Sequence, residues 1–246
     1  MAEGLYVYCV IGTGEARNFG SIGVGGRGDV VTTIPYRDLS AVVSSAPLDR
    51  YVVGRESMLA HERVLEGVMG DHTLLPVRFY TMAPNAEEVR TLLRTRYYEL
   101  RNLLRQMEDR VELGLKASWL DMGGLLRGLV AAQPLGDRSS PPSVSEVRSA
   151  LDTRTAEVRE RLMEALRPLA IDSRSNKLQG EDMILNAAFL VGRRQEPEFD
   201  SVVSRLSDRY AAEITFKYIG PAPPYSFVNI VIKDDVASCG PATKAR

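Results

Sequence analysis

Val111-Glu112-Leu113-Gly114-Leu115-Lys116-Ala117-Ser118-Trp119 alternates without interruption. Val111, Leu113, Leu115, Ala117 and Trp119 share one face; Glu112, Gly114, Lys116 and Ser118 share the other. That is the period-2 pattern of a strand with one side in a core. A short helix around residues 122–131 follows, then an exposed Gly/Pro/Ser loop at 133–142. Ser143-x-x-Glu146 has the form of a capping box, and it opens a helix marked by Val144, Val147, Leu151, Val158, Leu162, Ala165 and Leu169. Residues 171–178 and 183–191 read as two strands around the turn Gln179-Gly180-Glu181. Glu196-Pro197 starts another helix with Phe199, Val202, Val203, Leu206 and Tyr210 on its apolar side. Residues 213–219 close the set, with Ile214, Phe216 and Tyr218 facing away from Glu213, Thr215 and Lys217. The order strand, helix, strand, strand, helix, strand is the split βαβ, ferredoxin-like arrangement. Right-handed crossovers put both helices on one face of a four-stranded antiparallel sheet.

Working back from Val111, the pattern is less regular. Residues 5–11, Leu-Tyr-Val-Tyr-Cys-Val-Ile, form a buried strand by their β-branched and aromatic content. Strands at 29–34 and 39–44 are joined through Pro35-Tyr36-Arg37-Asp38. Residues 55–69 turn helical, with Met58, His61, Leu65 and Val68 on one face and Val64 beside them. Residues 73–80 form a strand whose Pro76 belongs at an edge or a strand start. Asn85-x-x-Glu88 opens a long helix over 85–109. The sequence therefore predicts an α+β fold with two domains: 1–110, a ferredoxin-like 111–232, and a flexible tail at 233–246.

Composition excludes several function classes. The chain has 246 residues, 44% hydrophobic and 26% charged, as in a globular protein with a sizeable core. Its 31 Lys and Arg nearly cancel 32 Asp and Glu, so no overall field draws nucleic acid or anionic lipid. No run approaches the roughly 20 apolar residues that span a bilayer, and residues 1–11 lack the flanks of a secretory signal. Cys9 and Cys239 form no redox or metal motif, and Cys9 reads as a small buried hydrophobe. The reading is a soluble, intracellular chain.

Chemical motifs are equally sparse. The loop at 12–28 holds seven glycines but leads into strand residues, without the helix N-terminus or Gly-Lys-Ser/Thr ending of a phosphate cradle. His61-Glu62-Arg63-Val64-Leu65 starts like a zinc-protease helix, but Leu65 stands where the second ligand is required. His61 is read instead as a core histidine. No serine sits in a Gly-x-Ser-x-Gly elbow. Arg90, Arg94, Arg101 and Arg105 form a stripe on the 85–109 helix, read as a solvated face. Arg96 falls among Val89, Leu92, Leu100 and Leu103, so it must snorkel, pair with Glu99, or face another domain or partner. No catalytic residue, cofactor or metal site is assigned.

Near the end, Tyr218-Ile219-Gly220-Pro221-Ala222-Pro223-Pro224-Tyr225-Ser226-Phe227 runs a strand into a stiff proline corner, with an extended apolar segment expected at 227–232. Three groups of motifs then align. They are Gly4-Leu5-Tyr6-Val7-Tyr8; His61-Glu62-x-Val64-Leu65-Glu66-x-Val68-Met69 with Leu74-Leu75-Pro76-Val77-Arg78-Phe79; and Asn186-Ala187-Ala188-Phe189-Leu190-Val191 with Gly220-Pro221-x-Pro223-Pro224-Tyr225-Ser226-Phe227. Their order and spacing resemble the GvpF/GvpL family of gas vesicle proteins across nearly the whole chain. The resemblance implies a non-enzymatic minor protein of the vesicle, cytoplasmic before assembly. It implies binding to the shell protein GvpA and other assembly proteins, aid to nucleation, and protection of GvpA from aggregation. It also implies a ferredoxin-like C-terminal part.

The candidate partner-binding residues are Pro76, Arg78, Phe79, Arg96, Pro223, Pro224, Tyr225 and Phe227. Phe79 and Phe227 have an alternative reading as core residues beside turn-shaping prolines. The rival functional class is a ferredoxin-like regulator that binds a small molecule.

Overall fold

A computed structural model describes residues 3–24, 26–48, 54–132, 142–228 and 230. The fold mixes α and β, with two antiparallel sheets and six helices among these residues. Contacts divide the chain into two compact units, Met1–Glu108 with Val228–Arg246, and Asp109–Phe227. Of the stretch that follows Phe227, only Val228 and Ile230 are described. The sequence places 228–232 with the second part, whereas contacts group Val228 and Ile230 with the first. The expected loop at 133–142 (except Pro142) and the tail at 233–246 lie outside the described residues.

The first unit is a five-stranded sheet in the order β2-β3-β4-β1-β5. Its strands are β1 (Glu3–Ile11), β2 (Asn18–Gly20), β3 (Val31–Tyr36), β4 (Leu39–Pro47) and β5 (Leu74–Ala83). β1 lies between β4 and β5 and is buried along nearly all its length, which explains its continuous apolar run. α1 (Arg55–Asp71) sets Val64, Leu65 and Val68 against Tyr6, Tyr8, Ile11 and Val42. Met58, placed by period on that face, is exposed in the first turn. β2 is absent from the sequence reading; it lies in the glycine-rich loop and pairs with β3 through Asn18 and Gly20. The loop's tight start needs Gly14, where a Cβ would lie 1.9 Å from the carbonyl oxygen of Arg37. Pro35 and Tyr36, expected in a connection, belong to β3, and the turn is confined to Arg37 and Asp38.

The single helix predicted over 85–109 is two, α2 (Ala86–Thr95) and α3 (Tyr97–Met107). Asn85 caps the first by accepting the N–H groups of Glu87 and Glu88 at 3.0 Å each. The break falls at Arg96, whose ψ opens to 17°. Helical period would place this guanidinium beside the apolar stripe, where a buried charge needs a partner. It donates to Glu99 at 2.6 and 2.8 Å, and Val89, Leu93, Tyr97, Leu100, Leu104 and Met107 take the buried positions.

The second unit holds four antiparallel strands in the order β7-β8-β6-β9. They are β6 (Arg110–Trp119), β7 (Asp172–Ser175), β8 (Met183–Gly192) and β9 (Ile214–Ala222). β6 alternates strictly between buried and half-buried residues, as its sequence reads. α4 (Met122–Ala131) follows β6, and α5 (Val144–Leu166) begins at Ser143 with both arms of its capping box formed. α5 and α6 (Glu196–Arg209) supply Val158, Leu162, Phe199 and Val203 to one core with Val111, Leu113, Leu115 and Phe189. The first half of α5 does not pack as its pattern suggests: Val144 is 87% exposed, and burial starts at Val158. β7 covers four residues rather than the expected 171–178, and its ladder to β8 runs only from Asp172 to Ser175.

Candidate partner-binding surface

Apart from Arg96, which sits at the junction of α2 and α3 and pairs with Glu99, the proposed residues fall into two places, one in each unit. In the first, Pro76 and Val77 are buried, Arg78 is exposed and Phe79 is half-buried. The cause is a wide bulge. Cys9 of β1 faces Pro76 and Val7 faces Thr81, so residues 77–80 of β5 leave the ladder. Tyr80 takes a left-handed φ of 68°, and its N–H donates to Tyr6 Oη at 2.9 Å. Phe79 then packs edge-on against His61, with ring centroids 5.4 Å apart.

His61 is the buried polar centre of this unit. Its Nδ1 lies 3.0 Å from Tyr6 Oη, and its ring stacks with Tyr8 at 5.6 Å. Tyr8 Oη in turn meets Ser44 Oγ at 2.8 Å and accepts the N–H of Val24 at 2.9 Å. Tyr6 Oη, which also receives the Tyr80 N–H, thus ties His61 to β5. Nε2 has no hydrogen-bond partner among the described residues. Burial drops the His61 pKa to about 4, so the ring is neutral at physiological pH. Cys9 is buried, and its thiol pKa is pushed well up by burial.

The second place is the proline corner. Pro221 lies inside β9 rather than in the corner, and Gly220 before it has φ 134° where a Cβ would meet the Glu112 carbonyl oxygen at 2.8 Å. The reversal comes later, at residues 223–227, with Tyr225 N–H donating to the Pro223 carbonyl oxygen and Phe227 N–H to that of Pro224. Glu112 fastens it: Ser226 donates its N–H to Oε2 and its hydroxyl to Oε1, both at 2.7 Å. Burial raises the Glu112 pKa, partly offset by these two bonds and by the charge of Arg174. The Arg174 guanidinium lies 5.2 Å from the centre of the Phe227 ring. Pro223, Pro224 and Phe227 are buried, and Tyr225 is 41% exposed.

Phe227 thus follows the core reading, Phe79 lies halfway, and Arg78 and Tyr225 are the exposed members. The arginine stripe is locally matched: Arg90 pairs with Glu87 at 3.5 Å and Arg101 with Asp38 at 3.2 Å. Sequence reasoning missed Glu112, Arg174 and Ile230. Glu112 alone carried a signal, as the acidic residue on the outward face of β6.

In the glycine-rich loop, Arg27 is held by Glu3 at 2.9 Å and Asp29 at 3.1 Å. The loop borders a cleft of about 630 Å³ together with Glu56, Ser57 and Arg63 of α1. Among the described residues no group of three or more His, Cys, Asp or Glu is arranged to hold a metal, and no helix is long and apolar enough to cross a membrane.

Comparison with known proteins gives one consistent result. The family described as gas vesicle synthesis protein GvpL/GvpF matches residues 4–229. Gas vesicle protein F of Haloferax mediterranei is 29% identical over 238 residues, covering 96% of this chain and 98% of its own. Gas vesicle protein F1 of Halobacterium salinarum is 30% identical, covering 94% of this chain and 96% of its own. Among solved structures, GvpF from Anabaena sp. PCC7120 superposes with a TM-score of 0.79 at 25% identity, covering 94% of this chain and all of that one. GvpF from Microcystis aeruginosa, at 23% identity, shares the fold with a TM-score of 0.76.

Proposed function

This chain belongs to the GvpL/GvpF family of gas vesicle synthesis proteins, and we propose that it acts in the vesicle by binding the shell protein GvpA. The bound state shields apolar shell subunits from aggregation and aids nucleation and assembly of the shell. Subunits that build an apolar wall expose that surface before assembly, and exposed apolar surface aggregates unless covered. The observation that carries this reading is a pair of outer strands. β5 ends one sheet and β9 the other; the only ladder each forms, among the described residues, is on one side. Such edges accept an extended segment by strand addition. Arg78 stands beside the first edge and Tyr225 follows the second, both exposed. Tyr and Arg are the side chains that most often anchor interfaces.

The reading also takes the second unit as a ferredoxin-like domain with its boundary near Arg110. The strand order β7-β8-β6-β9 and the single core shared by α5 and α6 support it. The name F carried by the relatives above supports an F-type member. The residence proposed is the gas vesicle, with a cytoplasmic phase before assembly.

Two measurements test the proposal. Purified chain is expected to retain GvpA in a pull-down, with Arg78→Ala or Tyr225→Ala lowering the yield about tenfold while folding is kept. Intact washed vesicles are expected to carry the chain. If both variants retain GvpA like the unmodified chain, these edges are not the contact. If the unmodified chain retains none, the shell-binding role falls.

A further inference from the structure

At Val77 the outer edge of β5 is met by a later residue of the same chain, Ile230. Released from β1 by the bulge, Val77 forms a parallel bridge with Ile230. The meeting is dry: Val77 is 1% exposed, Ile230 2% and Val228 6%. Its main-chain part, among the described residues, is one isolated bridge, whereas β1 holds β5 through ladders on both sides of the bulge. Ile230 thus combines the side-chain burial of a strand residue with a single main-chain bridge. The local sequence, Val228-Asn229-Ile230-Val231-Ile232, is rich in the β-branched residues that suit such an edge. Beside the bridge, exposed Arg78 makes no ion pair among the described residues.

We propose that Val228 and Ile230 belong to an exchangeable strap over the β5 edge at Val77, covering it in the free protein and yielding it to an extended partner segment. The chemistry of the edge specifies that segment. It runs parallel to β5, as Ile230 does; it places a β-branched side chain against Val77; and an acidic residue flanking it meets Arg78. Strap closure explains how a protein that works through an open edge avoids pairing with its own copies. That the natural segment belongs to the shell protein rests on the function proposed above; the strap itself does not.

The test uses the full chain with Cys239→Ser as background. Ile230→Asp places a carboxylate at a dry position and frees the strap. Val77→Cys with Ile230→Cys, oxidised, ties it down. The probe is a labelled peptide of residues 228–235, Val-Asn-Ile-Val-Ile-Lys-Asp-Asp, followed by fluorescence anisotropy. The freed chain is expected to bind this peptide at least tenfold more tightly than the unmodified chain, and the oxidised pair not at all until reduced. Equal binding by the freed, unmodified and tied chains overturns the proposal. So does loss of cooperative folding in Ile230→Asp, because the segment would then be a constitutive strand. Offering GvpA to the same three chains separates the two ideas. The strap requires the peptide series to hold, and the shell-protein reading requires GvpA to follow that series.

Discussion

His61 in the first unit and Glu112 in the second are both ionisable side chains largely withdrawn from water; burial disfavours the charge on each, but only Glu112 has partners that offset it. His61 sits among the rings of Tyr6, Tyr8 and Phe79, with one hydroxyl at Nδ1 and no partner at Nε2 among the described residues. Nothing there stabilises a charge, so the ring stays neutral and acts as part of the core. Glu112 accepts two short bonds from Ser226 and lies near the charge of Arg174. Its bonding is that of a carboxylate used as a fastener, joining β6 to a corner 114 residues later. A buried titratable group is therefore not a functional site by default; what surrounds it decides whether it is filler, clasp or catalyst.

The largest expected effect breaks the histidine side of this contrast. Tyr6→Ala removes a fully buried ring that bonds both His61 and the Tyr80 N–H. It is expected to cost about 3–5 kcal/mol in denaturant unfolding. A cost near zero would show that the cluster does not hold the first unit.

Next comes pH. The His61 pKa falls from 6.5 in an exposed state to about 4 in the fold. Between those values the unfolded chain binds the extra proton, so stability is full above pH 6.5 and declines as pH drops toward 4. The shift corresponds to about 3 kcal/mol at 1.36 kcal/mol per pH unit. Denaturation at several pH values should show this slope and should lose it in His61→Leu. Persistence of the slope in that variant would assign it to other groups.

Glu112 works in the opposite direction. Its raised pKa lets the folded chain keep a proton that the unfolded chain has lost. Its contribution is full below the ordinary glutamate value and is lost as pH rises through the raised one. Ser226→Ala removes one charge-assisted bond and is expected to cost about 1.5 kcal/mol at neutral pH. Glu112→Gln should abolish the falling limb of the pH curve. A neutral Ser226→Ala would mean that the prolines alone set the corner.

The smallest effects sharpen the comparison with the exposed surface. Arg78→Ala and Tyr225→Ala should alter stability by no more than about 0.5 kcal/mol, read by thermal melts. A larger loss in either would return that side chain to the fold rather than to a partner.

Much of the architecture was legible from residues near one another in the chain. The alternation of 111–119, the capping box at Ser143 and the proline start of α6 each depend on contacts within a few residues. Each is found in the structure where the sequence puts it. The strand at 183–191 and the buried run at 5–11 were equally clear, because burial on a sheet leaves an apolar imprint. Where reading failed, the cause was distant. The helix at 85–109 breaks at Arg96, where the guanidinium pairs with Glu99 and Tyr97 begins a second buried stripe. β7 ends at Ser175, and beyond it the Asn186 side chain of β8 bonds the Lys177 carbonyl oxygen in place of a regular ladder. Of the candidate site, the segments were legible and their division into buried and exposed members was not.

The sequence by itself determined the kinds of element, their order, the helix starts and the absence of a recognisable catalytic motif, since periodicity and capping are local properties of the chain. Only the tertiary structure decided that Val77 meets Ile230, that Ser226 closes on Glu112, and that Phe227 lies beneath Arg174. Those contacts form when segments remote in sequence return to one another. Their energies come from burial and hydrogen bonding that no window of neighbouring residues contains.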